Sequence, residues 1–162
     1  MSHTLNHLNF KISAKPEQYQ QAHSAITSVC DGESNLVANL GNTAAILKEL
    51  FNWHWVGFYL TEANELILGP FQGPVACTRI AFGKGVCGAA WEQKKSLVVP
   101  DVHAFPGHIA CSSLSNSEIV VPIVKNSSVV AVLDVDSEHF NHFDETDRLN
   151  LEKICSYLAK FF

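Results

Sequence analysis

The sequence is short of positive charge and has no basic run: 11 Lys and Arg stand against 16 Asp and Glu, a net charge of −5 over 162 residues. Nucleic-acid binding rests on cations that neutralise phosphates, so no nucleic-acid partner is expected. No apolar stretch approaches the roughly 20 residues that cross a bilayer, and no membrane association is expected either. The opening "MSHTLNHLNFKIS" has no charged stretch followed by an apolar block. No export leader is therefore read there, and a cytoplasmic location is expected. Repeats, low-complexity tracts and Pro/Gly linkers are also lacking. A single domain over residues 1–162 is expected, with 1–14 a less ordered N-terminal extension. There is no C-x-x-C, and five cysteines, an odd number, make no tidy disulfide framework. In a reducing compartment disulfides are transient and either catalytic or redox-sensing, so each thiol is weighed separately.

What is present suits a globular domain: 47% hydrophobic residues can fill a core. "PEQYQQAHSAITSVC" reads as a helix with Pro at its start and "DG" at its end. Ser34 or Asn35 caps a second, on which Leu36, Leu40, Ala44, Leu47 and Leu50 keep a helical period. "WHWVGFYL" and "ELILGPFQG" read as paired strands, and "CTRIAF" as a short strand or crossing. "GKGVCGAAWEQKK" is a glycine-rich entry into a helix, followed by the short strand "SLVVP". After a loop to about Ser117 come "EIVVPIVK" and "SVVAVLDVD", a hairpin turning at "NSS". Asp144 caps a last helix with Asp147 at its N3 position, and Leu151, Ile154, Cys155, Leu158 and Phe162 form its apolar stripe. The expected fold class is α+β: a central, mostly antiparallel sheet, terminal helices on one face and pocket-forming loops of residues 69–117 on the other.

Cys155 lies on the apolar stripe and reads as a small core residue. Cys30 ends the first helix with no chemical neighbour. Cys77, Cys87 and Cys111 lie in the pocket loops and their flanks. Judged by local electrostatics, Cys87 is the best nucleophile, since a helix N-terminus and Lys84 both favour a thiolate. Cys111 sits in the small polar loop "HIACSSLSNSEIVVPI", near His103 and His108 and seven residues before Glu118. Those donors match no common zinc spacing, and no metal site is expected.

Asp134 and Asp136 are two apart in a strand and share a face; Val129, Ala131, Leu133 and Val135 take the other, helix-packed side. If the two long strands form a hairpin, Glu118 lies beside the aspartates. Repulsion among three carboxylates raises at least one pKa and leaves a proton donor near neutrality. On the first strand Trp53, Trp55 and Tyr59 share one face, and Val56, Phe58 and Leu60 the other.

The span "NWHWVGFYL", "GPFQGPVACTRIAFGKGVCGAAW", "VVPDVHAFPGHIACSSLSNSEIVVPI", "VLDVDS" and "FDETD" resembles the GAF domain family. More narrowly it is similar to the free methionine-(R)-sulfoxide reductases, single-GAF enzymes with three cysteines at these spacings. The resemblance implies that Cys111 is the nucleophile toward the sulfoxide sulfur, Cys77 the resolving thiol and Cys87 a third pocket thiol able to join disulfide exchange. It also implies that Glu118, Asp134 and Asp136 bind substrate and donate a proton, and that Trp55 and Tyr59 form an aromatic wall. In this it gives Cys111 the role that local electrostatics gives Cys87. The implied reaction is reduction of free methionine-(R)-sulfoxide through a sulfenic acid and a disulfide, reset by thioredoxin, with no metal or organic cofactor. A homodimer is also consistent with the resemblance. The competing expectation is a sensory, ligand-binding GAF module, faintly echoed by "NHFDETD"; against it, no output domain follows.

Overall fold

The structure is a computed structural model that describes residues 10, 14–109 and 111–162. The extension expected over residues 1–14 lies almost wholly outside the described residues. In chain order the elements are helices α1 (Lys15–Cys30) and α2 (Leu36–Phe51), strands β1 (Trp55–Glu62), β2 (Glu65–Gln72) and β3 (Arg79–Ala81), helix α3 (Gly85–Gln93), strands β4 (Leu97–Val99), β5 (Ser117–Lys125) and β6 (Ser128–Ser137), and helix α4 (Glu145–Leu158). The strands form one sheet in the order β3-β2-β1-β6-β5-β4, antiparallel at every pair.

Local chemistry accounts for the boundaries. The Asn35 side chain, not Ser34, caps α2 by accepting the Ala38 N–H at 3.0 Å. Asn126 and Ser127 both take positive φ, 50° and 65°, which a two-residue hairpin turn of the primed type requires. Asp144 accepts the N–H groups of Thr146 and Asp147, and Asp147 reaches back to the Asp144 N–H, a complete capping box. Buried Asp147 also accepts the Tyr19 hydroxyl at 2.7 Å and pairs with Lys15 at 2.6 Å. The "FDETD" segment thus ties α4 to α1.

Alternation along the strands splits the interior in two. Val56, Phe58, Ile119, Val121, Leu133 and Val135 pack under α1, α2 and α4 with Tyr19, Ile26, Leu40, Leu47, Leu151 and Ile154. Trp55, Tyr59, Val120 and Val132 face the other way, under α3 and the loops, with Val86 and Ala90. This is the expected arrangement, with two corrections. Trp53 does not share the face of Trp55: left-handed Asn52 ends α2, and Trp53 precedes β1. Its ring stacks on Phe51 at 4.3 Å and is buried among the helices. Val129 leaves the helix-packed set, because the β5–β6 register shifts between Ile123 and Val124; it joins Val132 on the loop side. Among the described residues no helix is long and apolar enough to cross a membrane.

Candidate active site

The β5–β6 register places Glu118 opposite Asp136 and Val120 opposite Asp134, while β1, on the other side of β6, places Trp55 opposite Asp136 and Gly57 opposite Asp134. Three carboxyls and an aromatic wall therefore follow from pairing alone. The wall is completed by the glycine. A Cβ at Gly57 would stand 2.6 Å from the Trp55 ring and 2.3 Å from the Phe71 Cβ, so only glycine lets Trp55 lie across the strand. Trp55 then stacks on Phe71 and Tyr59 at 5.3 and 5.9 Å. Trp55 Nε1 donates to the Pro74 carbonyl at 3.1 Å, and the Tyr59 hydroxyl donates to the Cys77 carbonyl at 2.9 Å. These bonds pin the cysteine loop to the wall.

Cys77 and Cys111 are joined as a disulfide with Cα atoms 5.4 Å apart, both half-buried. A cavity opens beside the Cys111 side of the bond, lined by Trp55, Tyr59, Cys87, Cys111, Glu118, Asp134 and Asp136. The sequence-expected residues are therefore brought together: seven line this cavity, and Cys77 reaches it through the disulfide. Cys30 and Cys155 are buried away from it, Cys30 at 2% exposure despite its place at a helix end.

Glu118 and Asp134 are only 6% and 7% exposed. Burial pushes both carboxyls well above the usual range; the nearby Asp134 and Asp136 charges raise Glu118 further, and Asp136 raises Asp134 against hydrogen bonds from Cys87 and Glu118. Burial raises Asp136 to about 6, against the pull of Ser115 and His54. Among the described residues the buried Asp134 Oδ1 atom has no hydrogen-bond partner, which is a standing demand for a donor or cation. Cys87 does not become the thiolate that its helix position and Lys84 suggest. Burial raises its thiol, and Asp134 and Glu118 add to the effect; its Sγ donates to Glu118 Oε1 at 3.9 Å. Burial likewise lowers His108, helped by His103.

The ligand atoms of Cys87, Glu118 and Asp134 lie within 4.8 Å of one another, a donor set a metal could use. Of the histidines weighed from sequence, His103 bonds Asn116 at 3.1 Å, whereas His108 lines the cavity with Nε2 3.9 Å from Glu118. Sequence reading did not single out His54, Ser112 and Glu138, which meet beside the site. The only signal for them is adjacency, His54 to Trp55 and Ser112 to Cys111.

The raised carboxyls set the sign of a stability effect. A carboxyl held protonated in the folded state binds its proton more tightly there than when unfolded. Its stabilising contribution is present at low pH and is lost as pH rises from about 4 through the folded value. For Asp136 that window ends near 6; Glu118 and Asp134, raised well above the usual range by burial, act in the same direction. Asp134→Asn is expected to raise the melting temperature of the ligand-free protein at pH 8 by about 3 °C, roughly 1 kcal/mol, and by less at pH 5. Thermal denaturation at the two pH values checks this; an equal or lower value at pH 8 contradicts it.

The model of the GAF domain matches residues 38–162 of the chain. The chain is 55% identical to GAF domain-containing protein A of Dictyostelium discoideum, over 93% of this chain and 96% of that one. It is 44% identical to the free methionine-R-sulfoxide reductase of Escherichia coli K12, over 90% and 89% respectively. Its structure superposes on the free methionine-R-sulfoxide reductase of Neisseria meningitidis, solved in complex with its substrate, with a TM-score of 0.93 at 54% identity, covering 95% of this chain and 93% of that one.

Proposed function

This chain belongs to the GAF domain family and, within it, to the free methionine-R-sulfoxide reductases; it is an oxidoreductase of that group, and we propose that it reduces free methionine-(R)-sulfoxide by attack of Cys111 on the sulfoxide sulfur. One observation carries the reading: a cysteine already paired with a second lies at the edge of a cavity that also holds three carboxyls, two of them buried.

A sulfoxide sulfur is a poor electrophile until its oxygen is protonated, so acid and thiolate must reach neighbouring atoms of one substrate. Glu118 is the proposed acid. It is the carboxyl beside Cys87 and His108, and burial holds it well above the usual carboxylate range. The Cys111 thiolate attacks sulfur, the protonated oxygen passes to the cysteine, and methionine leaves. The sulfoxide gains two electrons and Cys111 becomes a sulfenic acid. Cys77 then displaces the oxygen as water and closes the disulfide. A thioredoxin-type dithiol in the cytoplasm reopens it by exchange. The half-buried bond, flanked by exposed Val75 and Leu114, is open to such a partner. Cys87 is held in reserve for exchange by its protonated, buried state. Trp55 and Tyr59 take the methyl-thioalkyl end of the substrate.

Asp134 and Asp136 meet the substrate's ammonium group, which supplies the donor that Asp134 Oδ1 lacks. A peptide-bound or acylated residue has lost that cation and would leave buried carboxylates unpaired. N-acetyl-methionine-(R)-sulfoxide is therefore expected to show kcat/KM at least about a hundredfold below the free amino acid, the cost of removing one partner of a buried charge pair. Steady-state kinetics on both substrates tests the proposal; equal turnover would sink it.

A further inference from the structure

His54 takes no part in the chemistry set out above, yet it is held at both ring nitrogens. Its side chain is only 8% exposed. Nδ1 lies 2.9 Å from Glu138 Oε1, just past the end of β6. Nε2 lies 3.1 Å from Ser112 Oγ, the residue after Cys111. The Ser112 oxygen also accepts the Leu114 N–H at 3.2 Å.

A carboxylate only accepts, so Nδ1 carries a proton and donates to Glu138. Nε2 and the Ser112 hydroxyl share the second bond, and the Ser112 oxygen also takes the Leu114 N–H. The chain runs from Leu114 through Ser112 and His54 to Glu138. It links the loop that carries Cys111 to the start of β1 and the end of β6, both parts of the rigid sheet.

We propose that His54 is a positioning residue for disulfide closure: through Ser112 it holds the Cys111 loop with its sulfur turned toward Cys77. The proposal rests on the reading of Cys111 as nucleophile. In the step concerned, the Cys77 sulfur attacks the sulfenic sulfur of Cys111. The S–S bond forms, the S–O bond breaks, and the hydroxyl leaves with the Cys77 proton as water. No outside oxidant or reductant enters. The step requires two sulfurs on separate loops to meet, so it is the one most sensitive to how firmly the Cys111 loop is seated. The first step uses a substrate that the cavity itself orients, and depends less on the anchor.

The test is a rapid-quench experiment on reduced protein mixed with one equivalent of methionine-(R)-sulfoxide. Methionine, the dimedone adduct of the sulfenic acid and the Cys77–Cys111 disulfide are each followed in time. In His54→Ala and in Ser112→Ala, methionine release is expected to change less than about threefold. Disulfide closure is expected to slow about tenfold, the worth of one well-made hydrogen bond, with the dimedone adduct accumulating. The double variant is expected to close no more slowly than either single one, because both remove the same link. A merely structural role would lower both phases together; that result, slowing that multiplies in the double variant, or unchanged closure overturns the proposal. Ser112→Ala, at a half-buried loop position, carries the test should His54→Ala fail to fold. A parallel run with hydrogen peroxide forms the Cys111 sulfenic acid without any sulfoxide. An anchored closure there, with no methionine formed in the first run, condemns the functional reading while sustaining the anchor.

Discussion

Cys111→Ser is expected to abolish methionine formation, lowering single-turnover yield by at least roughly a thousandfold. A serine hydroxyl is far less ionised than a thiol at neutral pH and cannot carry the oxygen away as a sulfenic acid. The neighbouring thiols do not rescue the loss. Cys77 lies on the far side of the disulfide, and Cys87 is buried among carboxyls that hold it protonated. Cys77→Ser separates the two halves of the cycle: without an added thiol it is expected to release one equivalent of methionine and then stop. Chromatographic assay of methionine from reduced protein and substrate distinguishes the variants. Normal single turnover in Cys111→Ser would transfer the nucleophile to another residue.

The second large effect is expected at Glu118. Glu118→Gln keeps the shape and the hydrogen bonding but removes the proton, and kcat should fall between about 10²-fold and 10⁴-fold, the usual range for a lost general acid. KM should change far less, because the ammonium of the substrate is assigned to Asp134 and Asp136. In the unaltered protein the acid must be protonated to act. Its contribution is therefore full below its raised folded pKa and declines as pH rises through it, while thiolate formation at Cys111 rises in the same direction. A bell-shaped profile is expected, and Glu118→Gln should lose its alkaline limb. Steady-state rates across pH decide; an unchanged kcat would move the acid to one of the aspartates.

Much of this site was legible before any coordinates, for reasons that differ by residue. The carboxyl cluster was readable because a strand's period of two puts Asp134 and Asp136 on one face, and the hairpin brings Glu118 near them. That Glu118 stands opposite Asp136 rather than Val135 is set by the one-residue shift between Ile123 and Val124, which no periodicity announces. The reading failed where the period was carried past the strand. Trp53 precedes β1, and the shift between Ile123 and Val124 turns Val129 to the other face. Cys87 illustrates a different limit. The helix N-terminus and Lys84 are local, but the burial and the two carboxyls that raise its thiol come from α3 packing on the β5–β6 hairpin, which no local window contains. The contact of His54 with Ser112 joins residues 58 apart through loops, where no periodicity operates.

The central claim is that one cavity brings a sulfur nucleophile and a proton donor to a single small guest. The most direct measurement mixes fully reduced protein with an excess of racemic free methionine sulfoxide and no reductant, followed by chiral chromatography and peptide mapping. The account predicts one methionine per chain, drawn from the R epimer alone, together with a Cys77–Cys111 disulfide. Consumption of the S epimer, or methionine formed while Cys111 remains a free thiol, would contradict it.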